Sequence, residues 1–508
     1  MKRHTLVHLS RFLRPYAVRF LFLLLLLMAG NLLSLAAPLL SGKAVDAVGI
    51  RAGGVDFPGV FRNCAGMLGC YALSSLLNYI VSSRLIRTAQ SVSHDLRKAA
   101  FDRMSELPVD YFDTHPAGDL ISRVCYDVDT VNATLSTDLL QLGTSVFTVA
   151  GSFLMLVILS PRLTLVFLVT VPLSAALTRF QMKRIHPLFR LRSKELGALN
   201  GFAEERMGCR RSIRTYGVEA EDLRLFDVRN DAASRAYYDA DRASASLGPS
   251  VNFINNISLT AVSVFGALLY LGGGLSLGSL SSFVLYSRKF SGPIREAANL
   301  LAELQASAAA AERVLDLLEE EPETVDPAGA LPVERLRGDI HFDHVTFGYD
   351  PARPVLQNFT AYIPAGSLAA VVGPTGAGKT TLVSLLLRFY RPQSGAITVD
   401  GVPLEAYSRD GFRRRLALVL QDTWLFGGTI AENIAYGAPG AGREEIVEAA
   451  KAARIHRFIS SLPQGYDTVL TDEGISKGQR QLLAIARCLL TDADVVILDE
   501  ATSNVDTE

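Results

Sequence analysis

The sequence predicts a multidomain chain: six membrane-length α-helices with long cytoplasmic helical extensions, followed by an α/β domain built on a phosphate loop. Three observations predict it. Stretches long and apolar enough to cross a bilayer fill much of the first 310 residues. A glycine-rich run, Gly373, Pro374, Thr375, Gly376, Ala377, Gly378, Lys379 and Thr380, stands in the last third. About 115 residues later the apolar run Val495–Leu498 ends in Asp499 and Glu500.

The 508 residues leave room for two or three domains. Hydrophobic residues make up 49% and charged residues 20%, and the apolar excess lies before residue 310, as expected for a membrane part followed by a water-soluble one. A net charge of −1 offers no basic surface for nucleic acid. Cys64, Cys70, Cys125, Cys209 and Cys488 form no CxxC pair and read as packing residues in a reducing compartment. A basic N-terminus followed by the apolar residues 20–28 imitates a secretion signal, but the apolar character continues to Leu40, beyond the ~7–15 residues of a signal core. Residues 17–40 therefore read as a first spanning helix about 36 Å long. Arg11, Arg14 and Arg19 hold its start in the cytoplasm.

Further spans are expected at 60–81, 139–159, 163–180, 251–271 and 280–297. Arg62 and Asn78 weaken the second; Asn252, Asn255, Asn256, Arg288 and Lys289 interrupt the last two. The connections 82–138 and 181–248 are long, and Arg84, Arg87, Arg97, Lys98, Arg103, Lys183, Arg184, Arg190 and Arg192 make their flanks basic, which places them in the cytoplasm. Their helical periodicity predicts spanning helices that continue outward, with tips at 114–129 and 214–226 able to press on a second domain. Arg288 and Lys289 fall roughly 12 Å into the sixth span. They either line a polar path or snorkel from a span that starts later. Pro293 is expected to bend that helix.

Glu319, Glu320, Glu321, Pro322 and Glu323, then Pro327 and Gly329, break the helical pattern and mark a linker. Beyond it, residues 341–347 and 368–372 read as strands. The phosphate loop follows the latter and precedes an apolar-periodic helix, the context this motif requires. Its glycines let backbone N–H groups turn towards phosphates at a helix N-terminus. Lys379 would lie between the β- and γ-phosphates and Thr380 on Mg²⁺. Residues 495–498 read as a buried strand. Asp499 at its end is placed to hold Mg²⁺ through water and Glu500 to polarise an attacking water, the plainer alternative being a solvated strand end. Gln421, directly after strand residues 416–420, could sense the γ-phosphate or the metal, or simply face solvent. Tyr349 could stack on adenine or be an ordinary core or surface tyrosine. Ser476, Lys477, Gly478 and Gln479 open a helical run to Leu490. This polar helix start suits a second phosphate contact, though alone it is only an N-cap.

Together these residues resemble the ATP-binding cassette superfamily, specifically exporters with a membrane domain and an ATPase on one chain, such as bacterial multidrug and lipid exporters. The resemblance covers essentially the whole chain. It matches residues 373–380 to the family's phosphate loop, and Asp499 and Glu500 to its strand-end aspartate and catalytic glutamate. Gln421, followed by Asp422, Thr423, Trp424, Leu425 and Phe426, matches the glutamine loop. Ser476, Lys477, Gly478 and Gln479 match the signature sequence, with Ile475 where leucine is common and Lys477 where glycine is common. Tyr349 matches the adenine-stacking aromatic, and Ser503, Asn504, Val505 and Asp506 the dimer-contact loop.

The resemblance implies ATP and Mg²⁺ as cofactors. Catalysis would rest on Glu500, Gln421 and Lys379, and metal ligation on Thr380, Gln421 and Asp499. Nucleotide contacts would come from Tyr349, from residues 373–380 and Thr381, and from Ser476, Gly478 and Gln479. It divides the chain into a membrane domain (1–318), a linker (319–334) and an incomplete ATPase domain (335–508). It implies a second half-transporter, with a heterodimer slightly favoured, and two ATP molecules sandwiched head to tail. The cargo would be an amphipathic drug-like, lipid-like or peptide substrate, crossing the bacterial cytoplasmic membrane. An importer of exporter shape, or an ATP-binding regulatory or channel-like subunit, are the alternatives. Three departures stand out. The family's switch histidine would lie beyond Glu508, so the sequence is expected to be part of a longer product. Gly474 runs directly into Ile475, and the stretch at Asp506, Thr507 and Glu508 lacks a small insert.

Overall fold

A computed structural model describes residues 12, 14–49, 55–324, 326–327, 329–420, 423–470 and 474–499, without the side chains of 294–299 and 301–302. The chain forms two compact units. One is the chain up to Asp102 with Ile121–Glu319; the other is Arg103–Leu120 with the chain from Glu320 onward.

In the first unit, the first to sixth spanning helices are, in order, Ala17–Val48, Phe57–Glu106, Leu139–Leu159, Pro161–Gly208, Leu247–Leu271 and Leu277–Glu319. The second is 50 residues long, which at ~1.5 Å per residue exceeds twice the ~30 Å thickness of bilayer hydrocarbon. It and the 48-residue fourth helix are the expected rods that continue past the membrane. The helix Glu219–Ala245 returns alongside the fourth, where Arg192 donates to Asp241 at 2.9 Å and lies 3.9 Å from the Tyr237 ring. Among the described residues, five helical segments qualify as spans by length and composition. The sixth helix is continuous over 43 residues, but Arg288 and Lys289 interrupt its apolar run.

The first and sixth helices meet backbone to backbone. A Cβ on Gly42 would lie 2.4 Å from the Gly278 carbonyl oxygen, and one on Gly278 would lie 2.0 Å from the Gly42 oxygen, so only glycine fits at either position. Asp46 seals the contact by accepting from the Gly278 N–H at 2.7 Å and the Ser276 hydroxyl at 2.8 Å. Lower down, Pro38 has no N–H to give the Ser34 carbonyl four residues earlier. Lys289 Nζ takes that place, donating to Ser34 O and Ser34 Oγ at 2.7 Å each. Lys289 is thus a structural partner of a proline-broken helix. The two adjacent cations, expected to act alike, part ways. The core here is Leu35, Leu156, Leu163, Phe167, Val262, Phe283, Tyr286 and Phe290.

Two expectations are corrected in this unit. Only Cys488 is buried; Cys64, Cys125 and Cys209 are exposed, so the packing reading holds for one cysteine in the second unit. The first cytoplasmic tip lies earlier than 114–129. Only the chain up to Leu120 belongs to the second unit, whereas Asp127 is buried in the first and clasped by Arg313 at 2.6 and 2.8 Å. A buried carboxylate needs such a partner, and this pairing fixes the returning helix. The second tip turns at Gly217, whose φ of +63° favours glycine, between Arg210–Tyr216 and Glu219–Ala245.

The second unit contains an antiparallel sheet in the order β2-β1-β3-β4 and a parallel pair β5-β6. The strands are β1 Ile340–Phe347, β2 Leu356–Ile363, β3 Ser394–Val399, β4 Val402–Pro403, β5 Leu416–Val419 and β6 Val495–Leu498. The helix Lys379–Leu386 adds Leu382, Leu385 and Leu386 to a core with Ile340, Phe342, Val345, Ile397 and Leu416. A second core gathers Ile430, Ile434, Ile446, Ile459, Leu483 and Ala486. Residues 368–372, expected to be a strand, pair with no strand among the described residues. Leu368 and Val372 are almost fully exposed. A strand needs a neighbour for its N–H and C=O groups, and an apolar run does not supply one. Glu323 and Asp326 are held by cations: Glu323 by Arg413 at 2.8 Å and Arg409 at 3.4 Å, Asp326 by Arg388 at 3.6 Å.

Candidate functional site

The phosphate loop turns through Gly376 and Gly378, with φ of +85° and +89°. At Gly378 a Cβ would also lie 2.8 Å from Leu356 Cδ2, so backbone conformation and space both demand glycine. Lys379 opens the following helix and folds back over the loop, donating to the Gly373 and Pro374 carbonyls at 2.8 and 3.1 Å. Thr380 Oγ1 donates to Asp499 Oδ2 at 3.1 Å. Two residues 119 apart in sequence thus meet as a hydroxyl and a carboxylate at the loop's edge.

Asp499 is positioned by the parallel pair β5-β6, in which Val419 lies opposite Leu498. Its N–H continues the ladder to Val419 O at 2.9 Å. In parallel sheets, ligand sites lie beyond the carboxyl ends of the strands, which is where Asp499 emerges. Gln421 and Glu500 follow β5 and β6 in sequence and lie outside the described residues, as do Asp422, Ser503, Asn504, Val505 and Asp506.

Tyr349 stands on the turn between β1 and β2. Gly348 has no room for a Cβ, which would lie 2.5 Å from Arg353 O. The Gln393 amide brackets Gly348, accepting from its N–H at 2.9 Å and donating to its carbonyl at 2.8 Å. The Tyr349 ring is 54% exposed and packs edge-on against Phe347 and Tyr390 at 5.3 and 5.1 Å. Its hydroxyl lies 3.4 Å from Thr381 Oγ1. An exposed aromatic held upright beside the phosphate loop suits a flat heterocycle. The same aromatic cluster borders a cleft of about 1040 Å³ lined by Asp110, Asp113, Tyr349, Arg388 and Tyr390.

Ser476 caps the helix Lys477–Leu490 through a reciprocal box. Its Oγ accepts from Gln479 N at 3.2 Å, and its N–H donates to Gln479 Oε1 at 3.0 Å. Gly478 lies in that first turn. This helix packs in the second core and the phosphate-loop helix in the first, so the two groups of predicted residues stand on different cores of one unit. Ala417 and Val419 of β5 touch Ala484 and Cys488 of the capped helix and link them. Burial lowers the Arg487 pKa. That guanidinium donates to Asn433 O at 2.9 Å and lies over the Phe426 and Tyr436 rings, 5.7 and 5.4 Å from their centroids. Sequence reasoning missed Gln393, Tyr390 and Arg487, because only long-range pairing gives them their positions.

Comparison with known proteins matches residues 20–294 to the ABC transporter transmembrane region and residues 356–503 to the ABC transporter domain. The chain belongs to the ABC transporter family. It is 42% identical over 473 residues to a fatty acid ABC transporter ATP-binding/permease protein of Mycobacterium bovis, covering 93% of this chain and 74% of that one. It is 34% identical over 446 residues to an ATP-dependent lipid A-core flippase of Nitrosococcus oceani, covering 87% and 74%. Its fold superimposes on a bacterial Atm1-family ABC exporter with ATP bound, with TM-score 0.77, 26% identity and coverage of 97% and 87%. The transporter is thus a membrane-embedded, ATP-binding protein of exporter type, whose cytoplasmic ATPase domain is coupled to transport.

Proposed function

We propose that the transporter is one half of a dimeric machine that uses ATP hydrolysis to export an amphipathic, lipid-like or drug-like substrate across the bacterial cytoplasmic membrane. The observation that carries this is the meeting of Thr380 with Asp499 beside Lys379, on a chain that begins as a bundle of spanning helices. The relatives that act on fatty acids and on lipid A support a lipid-like cargo.

The donor set fits a magnesium nucleotide. A hydroxyl and a carboxylate are hard oxygen ligands, and Gly376 and Gly378 leave the loop N–H groups bare of side chains. Thr380, Asp499 and Gln421 would hold Mg²⁺, which when bound supplies charge neutralisation at the phosphate oxygens. Residues 373–381 cradle the phosphates, and Lys379 exchanges the Gly373 and Pro374 carbonyls for phosphate oxygens. Tyr349 packs on adenine. Glu500 orients and polarises the attacking water. Ser476, Gly478 and Gln479, on the other core, present a helix N-terminus to the nucleotide held by a second half-transporter, with a heterodimer slightly favoured by analogy. Nucleotide-dependent closure then shifts the populations of inward- and outward-open states.

Glu500→Gln in the full-length protein tests this. ATP still binds, while turnover falls by about 10²-fold or more, the usual effect of losing a general base. Transport into inside-out vesicles stops with it. Unchanged turnover removes Glu500 from the mechanism, and uptake in the opposite vesicle orientation reverses the direction.

A further inference from the structure

The charge inventory of the spanning segments is lopsided. Over residues 17–48, 57–83, 139–159, 161–182, 247–271 and 277–297 the carboxylates are Asp46 and Glu296. Gly278 and Ser276 already hold Asp46, and Glu296 lies two helical turns, about 12 Å, along the sixth helix from Arg288. Two cations lie well inside the sixth helix. Lys289 is satisfied by Ser34. Arg288 is exposed and pairs with no carboxylate among the described residues. It lines a cavity of about 250 Å³ together with Asn252, Asn255 and Asn256 of the fifth helix. These asparagines recur at i, i+3 and i+4 and so share one helix face. Ser258, further along that face, also lines the cavity and shares a hydrogen bond with Thr170, the two hydroxyls 3.1 Å apart.

A second cavity adjoins the first. It holds about 440 Å³ and is lined almost wholly by apolar side chains, among them Phe153, Val157, Leu168, Val171 and Phe290. Phe167 lines both cavities. It is buried and packs edge-on against Phe290 at 5.4 Å, so it forms the wall where the polar chamber gives way to the apolar groove.

An ionised side chain at this depth is costly unless compensated. A second copy of this chain brings in its own spans only the same Asp46 and Glu296. An anion that enters the cavity supplies the counter-charge that Arg288 finds on no carboxylate among the described residues. A guanidinium fork pairs two-pronged with a carboxylate or a phosphate, and asparagine amides add neutral donors without competing for the anion's place.

We propose that Arg288 with Asn252, Asn255 and Asn256 is the head-group site for an acyl amphiphile with a compact anionic head, and that the acyl chain passes Phe167 into the adjoining groove. This rests on the reading of the transporter as a mover of lipid-like cargo. The site selects by charge, because a neutral head leaves Arg288 uncompensated.

The test is direct binding of labelled oleate, 1-oleoyl lysophosphatidate and the neutral 1-monooleoyl glycerol to the full-length transporter in zwitterionic nanodiscs. Both anionic amphiphiles should bind at least about tenfold more tightly than the glyceride, the scale of a charge-assisted hydrogen bond. The ratio between the two tells a carboxylate head from a phosphate one. Arg288→Gln should remove the preference for anions. Asn256→Asp, which installs a carboxylate beside Arg288, should do the same while keeping the cation, and it stands if Arg288→Gln fails to fold. Leu168→Trp should weaken oleate more than a short-chain fatty acid. Equal binding of the three amphiphiles, or an anion preference that survives both Arg288→Gln and Asn256→Asp, overturns the site and leaves lipid transport standing. If ATP-driven transport of every amphiphile is absent, the broader reading fails instead.

Discussion

The Tyr390 hydroxyl donates a hydrogen bond to the Asp113 carboxylate. Asp113 lies on the short helix Val109–Thr114, just past the end of the second spanning helix Phe57–Glu106. Tyr390 packs edge-on against Tyr349, the residue proposed to meet adenine. Burial, helped by Asp113, raises the Tyr390 pKa, so the phenol stays a protonated donor at physiological pH. One aromatic pair and one hydrogen bond therefore run from the proposed adenine position to the short helix that follows a spanning helix in the chain.

Tyr390→Phe should leave ATP affinity within about twofold but weaken substrate-stimulated ATPase several-fold, in line with the ~1 kcal/mol of a partly exposed hydrogen bond. Asp113→Asn keeps an acceptor and should be milder than Asp113→Ala. The readout is the ratio of stimulated to basal ATPase in reconstituted protein. Identical ratios for all three variants would exclude this contact from coupling.

What the sequence disclosed depended on how local the cause was. The end of the third span at Leu159 was legible, because Ser160 and Pro161 stop one helix and start the next, with Ser160 Oγ accepting from the Leu163 N–H at 3.4 Å. Its start was not, since the helix runs on unbroken from Ala117. The phosphate loop was legible because its glycines are required by local backbone geometry at Gly376 and Gly378. Residues 368–372 misled, since apolarity gives no information about whether a neighbouring strand is present. The pair Tyr390–Asp113 spans 277 positions and has no local signature. The split of Arg288 from Lys289 was hidden because it depends on Pro38, some 250 residues away on another helix.

Lys289 compensates for a proline, and that can be tested by a mutant cycle. Lys289→Met leaves the Ser34 carbonyl without a donor inside the first spanning helix, at a cost of about 1–2 kcal/mol. It should lower Tm in detergent. Pro38→Ala restores an N–H four residues after Ser34, so the double variant Pro38→Ala, Lys289→Met should recover part of the loss. The coupling is read as non-additivity of the Tm shifts. Strict additivity would mean that Lys289 does not serve this carbonyl.

The last prediction concerns pH and the start of β6. Burial would raise the Asp494 pKa, but the Leu336 N–H at 2.8 Å and the Arg335 guanidinium at 2.9 Å outweigh it and hold the carboxyl below its ordinary range. Arg415 adds to the positive surroundings, while Asp492, bound to Arg335 and Arg415 at 2.9 and 3.0 Å, shares the same cations. A carboxyl made more acidic by folding stabilises the fold above its unfolded pKa of ~3.9. That contribution fades as pH falls through the lowered folded value. Asp494→Asn should therefore lower Tm at neutral pH, with a gap that stays constant down to about pH 5 and narrows below about pH 4. The measurement is a pair of thermal melts across that range. A gap that widened on acidification would mean that folding weakens this acid instead, and that Arg335 and the Leu336 N–H do not hold the carboxylate.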